Sequence, residues 1–251
     1  MGKLLKFEFR KLTRSKSFYI CLAISIVILL ISGFSTRAFT KVVDGTPLPQ
    51  LVDFVQSALS NGSVILISGI FIALFICEDD SYGTIKNIYA KGYSRENVFF
   101  SKYIITLVGV LFIAVLNILI ASLFGLIFFD RTDTASNLFV NILGQLVVLV
   151  AYHSIFVAIS SWMKKSGGAI AINIIGTSVV SLVLGLIDVA LKLKDKMGSF
   201  MFTNYWVDTF FTTFKTSNAS TSSIVTGFVG SAIYIAFAIL LGLLASKKKE
   251  L

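Results

Sequence analysis

Residues 103–129 read YIITLVGVLFIAVLNILIASLFGLIFF, twenty-seven positions without a charged side chain. About 20 apolar residues suffice for a helix to cross the ~30 Å hydrocarbon core of a bilayer. Inside lipid every backbone polar group must be paired within the segment or around a closed barrel. The stretch shows no alternation of apolar and polar positions, so a barrel strand is excluded and a helix remains. Working outward, comparable runs occur at 18–34, 63–77, 137–162, 168–191 and 224–245. The run at 63–77 is short, but Pro47, Pro49, Leu51, Phe54, Val55 and Ala58 precede it. Proline is favoured in the first helical turn, which places the start of this second span near residue 50 and extends it to 50–77. The chain holds 251 residues, 56% hydrophobic and only 14% charged, with mean hydropathy +0.88. So few charges cannot cover the surface of a soluble domain, which needs roughly a quarter. The expected fold class is therefore an all-α integral membrane protein with six transmembrane helices, read as one membrane domain over 1–251.

The 22 basic residues outnumber 13 acids, for a net charge of +9. No nucleic-acid recognition motif accompanies this excess, so no nucleic-acid partner is expected and the lipid bilayer is. With the N-terminus inside, the inner segments carry Lys3, Lys6, Arg10, Lys11, Arg14, Lys16, Lys86, Lys91, Arg95, Lys102, Lys164, Lys165 and Lys247 through Lys249. The outer loops carry the minority: Arg37, Lys41, Arg131, Lys192, Lys194, Lys196 and Lys215. That bias predicts a multi-pass protein with both termini cytoplasmic. The first run lacks a small-residue cleavage pattern and reads as an uncleaved anchor. Cys21 and Cys77 both fall in apolar runs and suggest neither a disulfide framework nor a metal site.

Three segments outside the spans carry further signals. In residues 1–16, Met1, Leu5, Phe9 and Leu12 recur at helical spacing opposite Lys3, Lys6, Arg10 and Arg14. This predicts a basic amphipathic helix in the inner interface, or a plain basic anchor. The loop 78–102 opens with Glu78, Asp79 and Asp80, which mark the membrane boundary. Gly83 permits a sharp change of direction. Tyr82, Ile85, Ile88 and Tyr89 then gather on one side of a short helix, with Lys86, Asn87 and Lys91 away from it. Gly92 can end that helix, and Ser94 can cap the next. An aliphatic and aromatic knob of this kind suits a groove on a partner protein, or rests on lipid. In the outer loop 192–223, Phe202, Trp206, Phe210 and Phe214 recur every four residues as a helical stripe. It fits a helix at the outer leaflet, or an apolar lip receiving an amphipathic cargo.

The sequence has no phosphate-binding G-x-x-x-x-G-K-[ST], no H-E-x-x-H and no G-x-S-x-G, so no catalytic, cofactor-binding or metal residue is assigned. His153, in the fourth span near Gln145, Tyr152 and Ser154, reads as an interhelical hydrogen-bonding group. Asp188 lies close enough to the outer end of span five to reach the interface. Gly227 and Ser231 permit close helix approach, within one chain or between two.

The six spans, the basic amphipathic N-terminal helix and the EDDSYGTIKNI…GYSR loop together resemble the membrane-spanning subunit of an ABC-2 type transporter. The small Gram-positive permeases that export or expel peptides are similar in particular: bacitracin and lantibiotic self-protection permeases and phenol-soluble-modulin exporters. The resemblance implies a bacterial cytoplasmic membrane protein that pairs with an identical or sister permease. Two copies of a separate ABC ATPase, carrying ATP and Mg²⁺, would bind beneath it. Loop 78–102 would hold the coupling helix, with Tyr82, Gly83, Ile85, Lys86, Ile88, Tyr89, Gly92 and Arg95 at the ATPase contact. Residues 1–16 would form the elbow helix, and 192–223 the outer re-entrant segment. The implied function is ATP-driven export of a peptide or lipophilic cargo. The alternatives are an ATP-independent carrier or channel, and a membrane scaffold or sensor that transports nothing.

Overall fold

The computed structural model describes residues 1–42, 50–60, 63–130, 138–191, 201–215 and 221–248. Pro47, Pro49, Arg131, Lys192, Lys194, Lys196 and Lys249 lie outside them, as does the predicted start of the fourth span. The order is α1 (Gly2–Arg14), α2 (Lys16–Val42), α3 (Leu51–Ser60), α4 (Ser63–Ser81), α5 (Thr84–Ala90), α6 (Arg95–Phe128), α7 (Leu138–Trp162) and α8 (Ser166–Ala190). A 3₁₀ turn (Phe202–Tyr205), α9 (Val207–Thr213) and α10 (Thr221–Lys248) complete it. Six helical segments are long and apolar enough to cross a membrane: Lys16–Thr40, Leu51–Ser81, Arg95–Phe128, Leu138–Trp162, Ser166–Ala190 and Thr221–Lys248. The chain is thus an all-α membrane protein.

The longest helix, α6, has 34 residues, about 51 Å at 1.5 Å per residue. That exceeds a ~30 Å core, so its charged first turns extend past the lipid at one end. Ser94 caps it by accepting from the Asn97 amide at 3.3 Å, which pairs an amide the helix itself leaves open. Arg95 donates to the Lys247 carbonyl at 2.6 Å, and Lys11 pairs with Asp79 at 2.8 Å. The N-terminal helix, the end of α4, the start of α6 and the end of α10 therefore meet at one end of the bundle. At the opposite end, Arg37 donates to the Phe128 carbonyl at 2.9 Å, and Phe129 packs edge to face with both Phe54 and Phe124.

The main core runs between α4, α6 and α7 around Phe71, Ile72, Ile113, Leu149 and Phe156. Polar groups in it are tied across helices. Thr106 and His153 Nε2 are 2.9 Å apart, Tyr103 and Ser154 are 2.8 Å apart, and Asn173 donates to the Gly69 carbonyl at 3.0 Å. His153 thus has the interhelical bond expected of it, with Thr106 as its partner. Helix α8 buries only Ala169, Asn173 and Asp188. Its exposed Ile175, Leu182 and Leu186 form a surface fit for lipid or another apolar helix.

Candidate functional site

The junction at the end holding the termini gathers α1, the foot of α4, α5 and the start of α6. Helix α5 is bounded by two left-handed glycines, Gly83 at φ 67° and Gly92 at φ 83°. Side chains rarely adopt such angles, so glycine is the residue for these corners. Leu4, Ile88 and Val98 form one buried cluster, with Tyr89 and Tyr93 packed on it. Ile88, expected at the partner contact, is therefore used inside the protein: burying it against Leu4 and Val98 removes its apolar surface from water. Tyr82 also departs from the expected knob. It lies in the turn before α5 and is 77% exposed, with Lys86, Asn87 and Lys91 exposed alongside. Ile85 and Tyr89 are half-buried, and Arg95 sits 5.9 Å from the centre of the Tyr89 ring. Burial pushes the Tyr89 phenol above its ordinary range. The cavity behind α5, lined by Ile76, Ile85, Tyr89 and Val157, is about 40 Å³. That is room for a water or two, not for a cargo.

Beneath α5 lies a cluster of charges that sequence reading did not connect. Asp79 is buried and ion-paired with the buried Lys102. It also accepts from Lys11 at 2.8 Å and from the Thr84 hydroxyl at 3.1 Å. Lys11 reaches Glu78 at 3.3 Å and the Phe75 carbonyl at 3.3 Å. By sequence the acids 78–80 mark the membrane boundary and Lys102 is one of the basic inner charges. The structure adds that Asp79 points inward as the node joining α1, α4, α5 and α6. No spacing rule connects residues 11, 79 and 102; only the fold brings them together.

The face of α1 differs from the expected stripe. Leu4, Glu8 and Leu12 are buried, Leu5 is half-buried, and Met1 and Phe9 are exposed. Helix α1 packs mainly on α6, so its inward face is set by that groove rather than by the greatest apolar content. Burial pushes the Glu8 carboxyl above the usual glutamate range, against the opposing pull of Lys102 and Lys11.

The aromatic segment at the far end is also rearranged. Phe202, Trp206, Phe210 and Phe214 do not share one helix: Phe202 opens the 3₁₀ turn, Trp206 sits at its junction with α9, and Phe214 follows α9. Asp188 fixes the turn, accepting from the Phe202 amide at 2.7 Å, the Thr203 amide at 2.9 Å and the Thr203 hydroxyl at 2.8 Å. It is buried in this clamp near the end of α8. Phe210 and Phe214 are buried, so they form no lip. Their rings lie against bare glycine backbone: Phe214 at Gly144 and Gly227, Phe210 at Gly230. Gly227 thus receives a ring of its own chain. The space beside this segment, about 300 Å³, is lined chiefly by polar groups including Asn204, Thr209, Thr213 and Thr226.

A bundle with six membrane-length helices, a packed N-terminal helix and a short helix between its second and third crossings is the setting for the family comparison. The family described as "ABC-2 family transporter protein" matches residues 4–181. The chain belongs to the ABC-2 transporter family. The match begins in α1, covers the charge cluster and α5 whole, and ends within α8. In ABC-2 terms the chain is a membrane-embedded permease. A comparison with curated proteins finds no match.

Proposed function

We propose that this ABC-2 permease is the membrane subunit of an ATP-driven exporter, moved by a separate ABC ATPase that grips it at α5. The observation that carries the reading is the placement of α5: two left-handed glycines bound it, and Ile88 anchors it in the cluster with Leu4 and Val98. Tyr82, Lys86 and Asn87 face outward. A helix held this way can receive a push on its exposed face and pass it to α1 and α6. The ATPase contact is then Tyr82, Gly83, Lys86, Asn87 and Gly92, while Ile85, Ile88, Tyr89 and Arg95 transmit from behind.

ATP and Mg²⁺ would be held by the partner, since no phosphate-binding loop occurs in this sequence. Closure of two ATPase copies does work on the permease only by binding one arrangement of the helices better than the other. The basic residues near α1, α5 and the end of α10 favour the cytoplasmic side for this end of the bundle, in a bacterial cytoplasmic membrane. The exposed apolar face of α8 suits lipid or a second permease, identical or sister. With so little free volume behind α5, a cargo path would be completed between two copies. Apolar walls of Leu, Ile and Val suit an amphipathic peptide or lipophilic cargo.

The test is co-purification of the permease with a candidate ABC ATPase, followed by ATP turnover in the presence of amphipathic peptides. Tyr82→Asp with Lys86→Glu is expected to abolish stimulation while the permease still folds. Unchanged stimulation would refute the assignment of α5.

A further inference from the structure

Glu8 is fully buried, and neither carboxyl oxygen has a hydrogen-bond partner. The basic residues of the same helix at 3, 6, 10 and 14 are all exposed. An unpaired buried acid is rare enough in folded proteins to need a reason. The charged groups that act on Glu8 are Lys102 from α6, Asp79 and Glu78 from α4, and Lys11 from its own helix. Even with Glu8 neutral, Lys11 and Lys102 already face Asp79, Glu78 and, at Lys102, Asp80. Ionising Glu8 would add a further anion while Lys102 is held by Asp79. The balance in this arrangement therefore belongs to a protonated Glu8.

Asp79 is coupled directly to α5. The Thr84 hydroxyl binds both its carbonyl at 3.3 Å and its carboxylate at 3.1 Å, so the first residue of α5 is tied to the acid that holds Lys102. A displacement of α5 pulls on Asp79. Lys102 is buried, and a buried cation that loses its counter-ion is strongly destabilising unless another takes its place.

We propose that Glu8 is the second counter-ion of Lys102, a positioning residue that takes the ammonium from Asp79 when α5 is displaced. In the exchange Glu8 releases one proton to solvent and its carboxylate pairs with Lys102; on return it takes a proton back as Lys102 rejoins Asp79. The exchange would convert a movement of α5 into a change in how α1 is held to α6. It rests on the reading of α5 as the element that an ATPase moves.

The test is a double-mutant cycle on the purified full-length permease in lipid nanodiscs, with no ATPase present. Asp79→Asn mimics the displaced acid, and Glu8→Gln removes the spare counter-ion with little change of shape. At neutral pH Glu8→Gln alone is expected to leave the folding constant unchanged or raise it, because wild type must take up a proton at Glu8 on folding. In Asp79→Asn, Glu8 ionises to meet Lys102, so adding Glu8→Gln lowers the folding constant about tenfold beyond the sum of the single effects. Additive effects would overturn the proposal.

Should Asp79→Asn not fold, infrared difference spectra of wild type against Glu8→Gln decide the matter. A protonated-carboxyl band at neutral pH that vanishes in the variant is expected; no such band in wild type overturns the proposal. Because neither readout needs the ATPase, an additive cycle in a permease that still couples to an ATPase refutes the exchange alone. A coupled cycle in a permease that no ATPase binds supports the exchange and refutes the proposed function.

Discussion

Replacing Ile88 by alanine isolates the anchor of α5. The side chain is 9% exposed and packs with Leu4 and Val98. The substitution deletes three carbon groups, each worth roughly 0.8 kcal/mol when buried, or about 2.4 kcal/mol in all. Any cavity left behind adds to the loss. Helix α5 has only seven residues, far fewer than an isolated helix needs, so its order depends on this packing. The loss should therefore appear as local opening rather than as global unfolding. At 1.4 kcal/mol per tenfold, amide exchange across α5 should accelerate by about 50-fold. Residues near Leu4 in α1 should follow, because they share the cluster. Hydrogen exchange read by mass spectrometry, with Lys86→Ala as the exposed control, measures both. If Ile88→Ala exchanges no faster than Lys86→Ala, α5 is not held by this cluster and the transmission argument fails.

Other outcomes follow from the same contacts. Gly144→Ala places a methyl group on the Phe214 ring and should cost about 1–3 kcal/mol by overpacking; in thermal unfolding, combining it with Phe214→Leu should cost less than the two losses summed. Gly83→Ala meets open space but keeps φ at 67°, so chemical denaturation should show a loss of about 1–2 kcal/mol from backbone strain alone. The Glu8 carboxyl titrates above its ordinary value of 4.5 in the folded chain. The unfolded chain therefore releases this proton first, and stability should fall as pH rises from that value. Melting temperature against pH should show that slope in wild type and a flatter one in Glu8→Gln. Asp188→Ala removes all three bonds to Phe202 and Thr203, and amide protection of the 3₁₀ turn should be lost while α4 stays protected.

The fold class was legible because lipid imposes one rule on every crossing: about 20 apolar residues in a row. Residues 103–129 obey it so fully that no tertiary knowledge is needed. The short helices obey no such rule. In α1, the stripe Met1, Leu5, Phe9 and Leu12 competes with the line Leu4, Glu8 and Leu12, and the groove on α6 takes the second, so Leu12 stays inside while Met1 and Phe9 face out. In α5, Ile88 looked like a partner contact because it is apolar on a small helix, yet that is also what an internal anchor looks like. The four-residue spacing of Phe202, Trp206, Phe210 and Phe214 fits a helix, but the Asp188 clamp imposes a 3₁₀ turn across its first half. Lys102 reads locally as one more basic inner residue, and its pairing with Asp79 is a tertiary fact separated by 23 positions. What local sequence did reveal of the junction were its corners: Gly83 and Gly92 at positive φ and the Ser94 cap.

The central claim is that the permease is moved by a separate ATPase acting on α5. Reconstitution into liposomes tests it most directly, with an amphipathic peptide as cargo and with the candidate ATPase and ATP either supplied or withheld. The account predicts movement only with both present, and none when Tyr82→Asp and Lys86→Glu are combined. Full transport by the permease alone would contradict it.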